Sequence, residues 1–138
     1  MKSKIQFVAL LNEDLALEYS AAIQYEQHAA SLTGLEFAFA GELRDHASDE
    51  MRHARMLNEH ITYLGGVPSV KVGEILTASD SEPMLRQDLS SETTAIQRYE
   101  ERIKQCCEAE DFCTEAVLLS ILKDEVSHKT ELEAMLDE

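Results

Sequence analysis

The stretch that decides the fold is DEMRHARML at residues 49–57, because the same pattern returns at residues 124–132 as DEVSHKTEL. In both copies an Asp-Glu pair is followed by His three positions after the Glu, and by Leu four positions after the His. Residues three apart on an α-helix lie on one face, so each copy presents a carboxylate beside an imidazole. The duplication predicts a chain built from two similar halves.

A second pair of matching stretches completes the repeat. EYSAAIQYE at residues 18–26 corresponds to ETTAIQRYE at residues 92–100, and both have Glu, Ala three positions later, Tyr seven later and Glu eight later. Their first Glu residues precede the Glu of the two Asp-Glu pairs by 32 and 33 positions. The repeat unit is therefore a helical hairpin that carries one motif on each helix.

Glycine and proline divide the chain into four long segments that favour helix, and apolar residues recur in them every three to four positions. We expect helices over about residues 4–32, 36–64, 82–108 and 111–136. In the second segment, the apolar residues in phase with this period are Leu43, Ala47, Met51, Ala54, Leu57 and Ile61. A helix of about 28 residues is about 42 Å long, and the residues between the second and third helices reach about 50 Å if extended. The sequence predicts an all-α bundle of two antiparallel hairpins joined by one long crossover.

Composition limits the possible functions. The net charge is −15, with 27 acidic against 12 basic side chains, and phosphate binding requires clustered Lys and Arg. No apolar run is long enough to span a bilayer, and charge interrupts the N-terminal segment with no signal-peptide cleavage site after it. We expect a single domain over residues 1–138 that is cytoplasmic and binds neither nucleic acid nor membrane.

Three cysteines are present, Cys106, Cys107 and Cys113. An odd number, with two adjacent in sequence, is a poor disulfide framework, so reduced thiols are expected. The absence of a Cys-x-x-Cys pair excludes a zinc ribbon and a rubredoxin-type iron site.

The repeat predicts a buried cluster of metal-ligating side chains. Its members are Glu18, Glu50, His53, Glu92, Glu125 and His128. Burying four carboxylates without counter-charge is strongly unfavourable, and two divalent cations would neutralise them. Oxygen-rich ligation with one imidazole per metal favours iron or manganese over zinc or copper. Two such metals, bridged by one carboxylate from each hairpin, are suited to reaction with O₂ or peroxide.

A structural interpretation of the motif is that both Glu-x-x-His pairs lie on solvated helix faces, where such pairs interact locally. Only two of the five His residues have Glu three positions before them, and both fall within the repeat. This coincidence favours the metal site.

These motifs resemble the ferritin-like superfamily, and bacterioferritin in particular. The similarity runs through LNEDLALEYSAAIQYEQHA, DEMRHARMLNEHITYLGG, MLRQDLSSETTAIQRYEERI and ILKDEVSHKTEL. It implies a ferritin-like four-helix bundle whose six ligands form a ferroxidase centre, with Glu50 and Glu125 bridging two irons. It also implies that Fe(II) is oxidised with O₂ or peroxide, for iron storage or detoxification.

Two further residues carry expectations from the resemblance. Tyr25 matches the tyrosine that bacterioferritins keep near the di-iron centre, although a core aromatic with a satisfied hydroxyl is the alternative. Met51 matches the methionine that ligates a haem shared between two subunits, here expected to be haem b. A methionine packed in a helix interface is the alternative.

Acidic residues flank the ligand set. Asp49 and Asp124, each directly before a Glu of the set, are expected to accept hydrogen bonds from His on neighbouring helices. Asp45 and His46, together with Asp49, lie near the place where some bacterioferritins accept iron on the inner surface of the shell. Their spacing differs from that pattern by one position, so they are left out of the ligand set.

The assembly and the reaction have alternatives. Cage-forming ferritins continue into a short fifth helix, which is not evident before the last residue, Glu138. We therefore expect at least a homodimer, with a 24-subunit cage left open. Other functions that fit the pattern are a rubrerythrin-like peroxidase with a separate electron donor, a di-manganese catalase, and a non-enzymatic haem-linked dimer.

Overall fold

The computed structural model describes residues 3–137 and contains the four predicted helices. They are α1 (Lys4–Ser31), α2 (Ala40–Tyr63), α3 (Ser81–Glu108) and α4 (Phe112–Met135). The described residues contain no strand, which confirms the all-α prediction. Among them there is also no helix with the length and apolar character needed to cross a membrane. The predicted domain limits at residues 1 and 138 lie outside the described residues.

Local hydrogen bonds explain where the helices begin. α1 starts at a capping box, in which Ser3 Oγ accepts from the Gln6 amide at 3.2 Å and Gln6 Oε1 accepts from the Ser3 amide at 3.0 Å. α4 starts after Asp111, whose Oδ1 accepts from the Thr114 amide at 3.1 Å. These contacts satisfy backbone donors that have no partner within the first helical turn.

The predicted start of the second helix is wrong. Residues expected to open it form a separate 3₁₀ helix, Gly34–Phe39, and α2 begins only at Ala40. Gly34 has a φ of +65°, a left-handed conformation that turns the chain sharply after α1. Leu35 and Phe37 are exposed, so this segment has no buried apolar face that would extend α2.

The long connection, residues 64–80, runs along α1 from near its start to its end. The Ser69 amide donates to Asn12 Oδ1 at 2.7 Å, and the Leu76 amide donates to Gln24 Oε1 at 2.9 Å. The predicted crossover is therefore confirmed. By spanning the bundle, it places α3 antiparallel to α1 and brings the two hairpins face to face.

Two apolar clusters occupy the interior, separated by a polar layer. One contains Leu11, Leu15, Leu57, Tyr99, Leu118 and Ile121. The other contains Tyr25, Leu43, Met84, Leu85 and Leu132. Burying an aliphatic or aromatic side chain of this size stabilises the fold by about 1.5–3 kcal/mol. The two clusters thus hold the helices together on both sides of the layer that contains the predicted ligands.

Candidate metal centre

The predicted ligands converge in the polar layer between the two apolar clusters. Each is at most 2% exposed: Glu18, Glu50, His53, Glu92, Glu125 and His128. Their ligand atoms form two groups of four, and within each group these atoms lie within 4.8 Å of one another. One group is Glu18, Glu50, His53 and Glu125, and the other is Glu50, Glu92, Glu125 and His128. The groups overlap in one carboxylate from each hairpin, Glu50 and Glu125.

Both imidazoles turn Nδ1 toward the carboxylates. His53 Nδ1 lies 3.3 Å from Glu18 Oε2 and 3.3 Å from Glu50 Oε1. His128 Nδ1 lies 3.4 Å from Glu50 Oε1 and 3.3 Å from Glu125 Oε1. The two halves of the repeat therefore supply equivalent groups around one shared centre.

Seven buried atoms of this set have no hydrogen-bond partner. They are Glu18 Oε2, Glu50 Oε1, His53 Nδ1, Glu92 Oε2, both carboxylate oxygens of Glu125, and His128 Nδ1. Native proteins pair nearly all buried polar atoms, because leaving one unpaired costs about 1–3 kcal/mol. A cluster of unpaired carboxylate oxygens and imidazole nitrogens fits two metal ions that prefer oxygen ligands with one imidazole each.

The carboxylates lie close together in a site shielded from water, and this raises the pKa of the two that both ligand groups share. Burial, followed by repulsion from Glu18 and Glu92, raises the pKa of Glu125 to about 8. Burial and the same kind of repulsion raise the pKa of Glu50 well above its usual range. Burial acts to lower the pKa of His128, but the carboxylates of Glu125 and Glu92, 3.3 Å and 3.4 Å from its Nδ1, outweigh burial and raise this pKa to about 11. Without metal, bound protons partly offset the negative charge of the site.

Each imidazole is held from behind by a carboxylate of the other hairpin. His53 Nε2 donates to Asp124 Oδ2 at 2.8 Å, and His128 Nε2 donates to Asp49 Oδ2 at 2.8 Å. These hydrogen bonds confirm the role predicted for the two aspartates. Because the aspartates accept from Nε2, that nitrogen keeps its proton, and Nδ1, which faces the glutamates, is the nitrogen that would lose its proton to bind a metal.

Charged neighbours keep these aspartates ionised. Burial acts to raise the pKa of Asp49, but hydrogen bonds from His128 and Arg52 outweigh it and hold this pKa below its ordinary value. The pKa of Asp124 is lowered in the same way, against burial, by His53 and Arg52. An ionised carboxylate behind each ring makes the imidazole a stronger metal ligand.

Sequence reasoning missed Tyr99 as part of the site. Tyr25 donates to Glu92 Oε1 at 2.7 Å, and Tyr99 donates to Glu18 Oε1 at 2.7 Å. Burial raises the pKa of both phenols well above the ordinary value, so both remain protonated donors. The signal was present in the sequence, since both copies of the first repeat motif have Tyr seven positions after Glu. Each tyrosine thus orients, across the gap between the hairpins, one of the outer carboxylates, Glu18 and Glu92, which belong to only one ligand group each.

Replacing either tyrosine with Phe should destabilise the metal-free protein by about 1–3 kcal/mol, because each change leaves a buried carboxylate oxygen without its donor. Tyr25→Phe and Tyr99→Phe should have similar effects, measured by urea denaturation. Tyr63→Phe is the control, since Tyr63 is 69% exposed, and should change stability by less than about 0.5 kcal/mol. Equal stability of Tyr99→Phe and the control would contradict the contact.

Met51 lies outside the core, although it is in phase with the apolar residues of the second predicted helix. The buried stripe of α2 runs through Glu50 and Leu57, and Met51 lies about 100° around the helix from Glu50. Its side chain is 50% exposed. It lines an open hollow on the outer face of α1 and α2, together with Ile23 and Arg55.

The structure pairs His46 with a residue of α4. His46 Nε2 lies 2.6 Å from Glu131 Oε2, and its ring stacks on that of His128 with centroids 4.1 Å apart. Asp45 is exposed, whereas His46 is buried. His46 thus packs directly behind the ligand set, in contact with one of the two imidazoles.

Four antiparallel helices that present two Glu residues and two Glu-x-x-His pairs to one buried layer define the class of ferritin-like di-iron carboxylate bundles. Residues 8–138 match the family model for ferritin, described as a ferritin-like domain. The chain belongs to this family.

Named relatives and a solved structure agree with that assignment. A bacterioferritin from Desulfovibrio desulfuricans is 31% identical over 92% of this chain and 72% of its own length. The bacterioferritin BfrA of Mycobacterium tuberculosis is 30% identical over 99% of this chain and 87% of its own length. A solved structure described as ferritin like, diiron-carboxylate proteins from Bacillus anthracis superposes with a TM-score of 0.92, at 34% identity and 99% coverage of both chains.

Proposed function

We propose that this chain binds two iron ions between its helices and acts as a ferroxidase, oxidising Fe(II) with O₂ or peroxide for iron storage or detoxification. The observation that carries the proposal is the pair of overlapping ligand groups that share Glu50 and Glu125. The bacterioferritin relatives and the di-iron carboxylate structure support it.

Charge balance supports two divalent ions. Four buried carboxylates carry up to four negative charges, and two Fe(II) ions carry four positive charges. The seven unpartnered atoms would each gain a ligand contact, which removes the cost of leaving them buried and unpaired. Manganese has similar ligand preferences, so the donor set alone accommodates either metal.

When bound, two neighbouring iron ions would supply the redox chemistry, each giving one electron to the oxidant. The side chains of the protein determine where that chemistry occurs. Glu50 and Glu125 hold the two positions together, while Tyr25 and Tyr99 orient the outer carboxylates. The apolar clusters on both sides restrict the entry of water.

A cavity between α1 and α3 gives access to this layer. Its floor includes the buried carboxylates of Glu18, Glu92 and Glu125, and its lining also includes the exposed Glu74 and Ser90. The cavity therefore joins the surface to the ligand set. Fe(II) and a small oxidant such as O₂ would enter by this route.

The direct test is an anaerobic Fe(II) titration of the metal-free chain, followed by stopped-flow mixing with O₂ or peroxide. We expect two Fe(II) bound per chain and oxidation much faster than that of Fe(II) in buffer. Fewer than one bound ion, or oxidation at the buffer rate, would contradict the proposal. Repeated peroxide turnover with an added reductant, without accumulation of ferric iron, would indicate a peroxidase instead.

We also propose that Met51 ligates haem b between two copies of the chain in a homodimer, because its side chain is half-exposed on an outer helix face. Haem reconstitution of the wild type should give a Soret band that Met51→Leu lacks. Met56→Leu, on the same helix, should retain the band. A wild type without the band, or Met51→Leu with it, would contradict haem ligation.

Light scattering on the same samples separates a dimer of the 15.5 kDa chain from a 24-subunit cage.

A further inference from the structure

One guanidinium joins the aspartates that hold the two imidazoles. Arg52 Nη2 donates to Asp124 Oδ2 at 2.8 Å and to Asp49 Oδ1 at 3.2 Å. Arg52 and Asp49 lie on α2, whereas Asp124 lies on α4. The side chain therefore bridges the two hairpins on the surface directly outside the ligand set.

These contacts extend to both halves of the candidate metal centre. Asp124 Oδ2, which accepts from Arg52, also accepts from His53 Nε2 at 2.8 Å. The other oxygen of Asp49 accepts from His128 Nε2 at 2.8 Å. A continuous path of hydrogen bonds thus runs from His53 through Asp124, Arg52 and Asp49 to His128. This path of hydrogen bonds can orient the two imidazoles without any covalent or redox change.

The internal repeat shows that this link is made once. Asp49 and Asp124 occupy equivalent positions in the two motifs, but the residue equivalent to Arg52 is Ser127. A hydroxyl cannot replace a positive charge beside two carboxylates. Arg52 therefore donates to the aspartates of both motifs. The two motifs differ at this position because a single cation is enough to contact both aspartates.

We propose that Arg52 is a positioning residue that holds both imidazoles in the orientation required for metal binding. The inference rests on the proposed metal centre. Without the guanidinium, the negative charges of Asp49 and Asp124 repel each other with no cation between them. Both carboxylates then turn toward solvent and release His53 and His128. Loss of a residue that supports metal ligands in this way typically weakens metal binding 10- to 100-fold.

The test is an anaerobic titration of the metal-free protein with Co(II). Binding is measured by calorimetry, and the geometry of the ligands around Co(II) is monitored by visible absorption. Arg52→Met retains an unbranched side chain without charge or donors. We expect it to weaken binding about tenfold at both positions. Arg86→Met is the matched control, because Arg86 is also 49% exposed and pairs with Glu82 near the start of α3. Arg52→Lys, which retains a positive charge and N–H donors, should recover at least half of the lost binding free energy.

The outcomes separate this inference from the proposed function. If the wild type binds no Co(II), the metal centre itself is contradicted. If the wild type binds two ions and Arg52→Met matches Arg86→Met, or loses affinity at one position only, the role of Arg52 is overturned. Failure of Arg52→Lys to recover binding would also overturn it. So would loss of the helical circular dichroism of metal-free Arg52→Met, because Arg52 would then be required for folding.

Discussion

Replacing Glu50 with Ala should abolish rapid Fe(II) oxidation and leave the four helices intact. Glu50 is one of two residues shared by both ligand groups, so its loss removes a ligand from both metal positions at once. The oxidation rate, measured by stopped-flow absorption, should fall to that of Fe(II) in buffer. The helical circular dichroism should match that of the wild type, because the apolar clusters are untouched.

Two further variants make this result specific. His128→Ala removes a ligand from one group only, so it should bind one metal tightly and should also lose rapid oxidation, which requires both. Glu59→Ala changes an exposed carboxylate on α2, the helix that carries Glu50. This control should oxidise Fe(II) at the wild-type rate. Unchanged oxidation by Glu50→Ala would contradict the proposed centre.

Replacing Glu125 with Gln should stabilise the metal-free protein and at the same time remove the stabilisation that metal provides. Burial raises the pKa of Glu125 to about 8, far above the value of an exposed Glu. A carboxyl group whose folded pKa is raised contributes stability that is fully present below the unfolded pKa. That stability is lost as pH rises through the folded pKa. The metal-free wild type should thus lose stability, on the order of a few kcal/mol, between about pH 4.5 and 8.

Thermal and urea unfolding at several pH values would measure this effect. Metal-free Glu125→Gln should unfold at higher denaturant concentration than the metal-free wild type at pH 8, and the difference should shrink toward pH 5. A metal at 100 times its Kd should stabilise the wild type by about 2.7 kcal/mol per position and Glu125→Gln by much less. Glu59→Gln is the control for loss of an exposed carboxylate. Equal metal stabilisation of the two Glu variants would refute the assignment of Glu125.

Much of the candidate site was predictable because the sequence repeats itself. Glu-x-x-His on one helix face and a matching Glu on the preceding helix identify all six residues that the structure brings together. The same repeat contains Tyr25 and Tyr99, but only contact distances show that both donate to outer carboxylates. A tyrosine at such a position serves equally well as a core aromatic, so the acceptor of its hydroxyl can be identified only from the structure.

Periodicity was less reliable at the edges of the pattern. Met51 is in phase with apolar residues of α2, yet it lies beside the buried stripe and not within it. Residues 36–39 favour helix locally but join a 3₁₀ segment, because the left-handed turn at Gly34 sets the direction of the chain. The mismatch at Met51 arises because a 3–4 residue period defines a helix face only to within about one residue's rotation.

By itself, the sequence determined the fold class, the two-hairpin order, the crossover and which six Glu and His residues cluster in the core, because each depends on residue type and spacing along the helices. Only the tertiary structure decided which tyrosine hydroxyl faces which carboxylate across helices: Tyr99 with Glu18, and Tyr25 with Glu92. Arg52 belongs to the same category, since its bond to Asp124 joins residues 72 positions apart. Such contacts depend on the rotation and depth at which the helices pack, and packing is a property of the whole bundle.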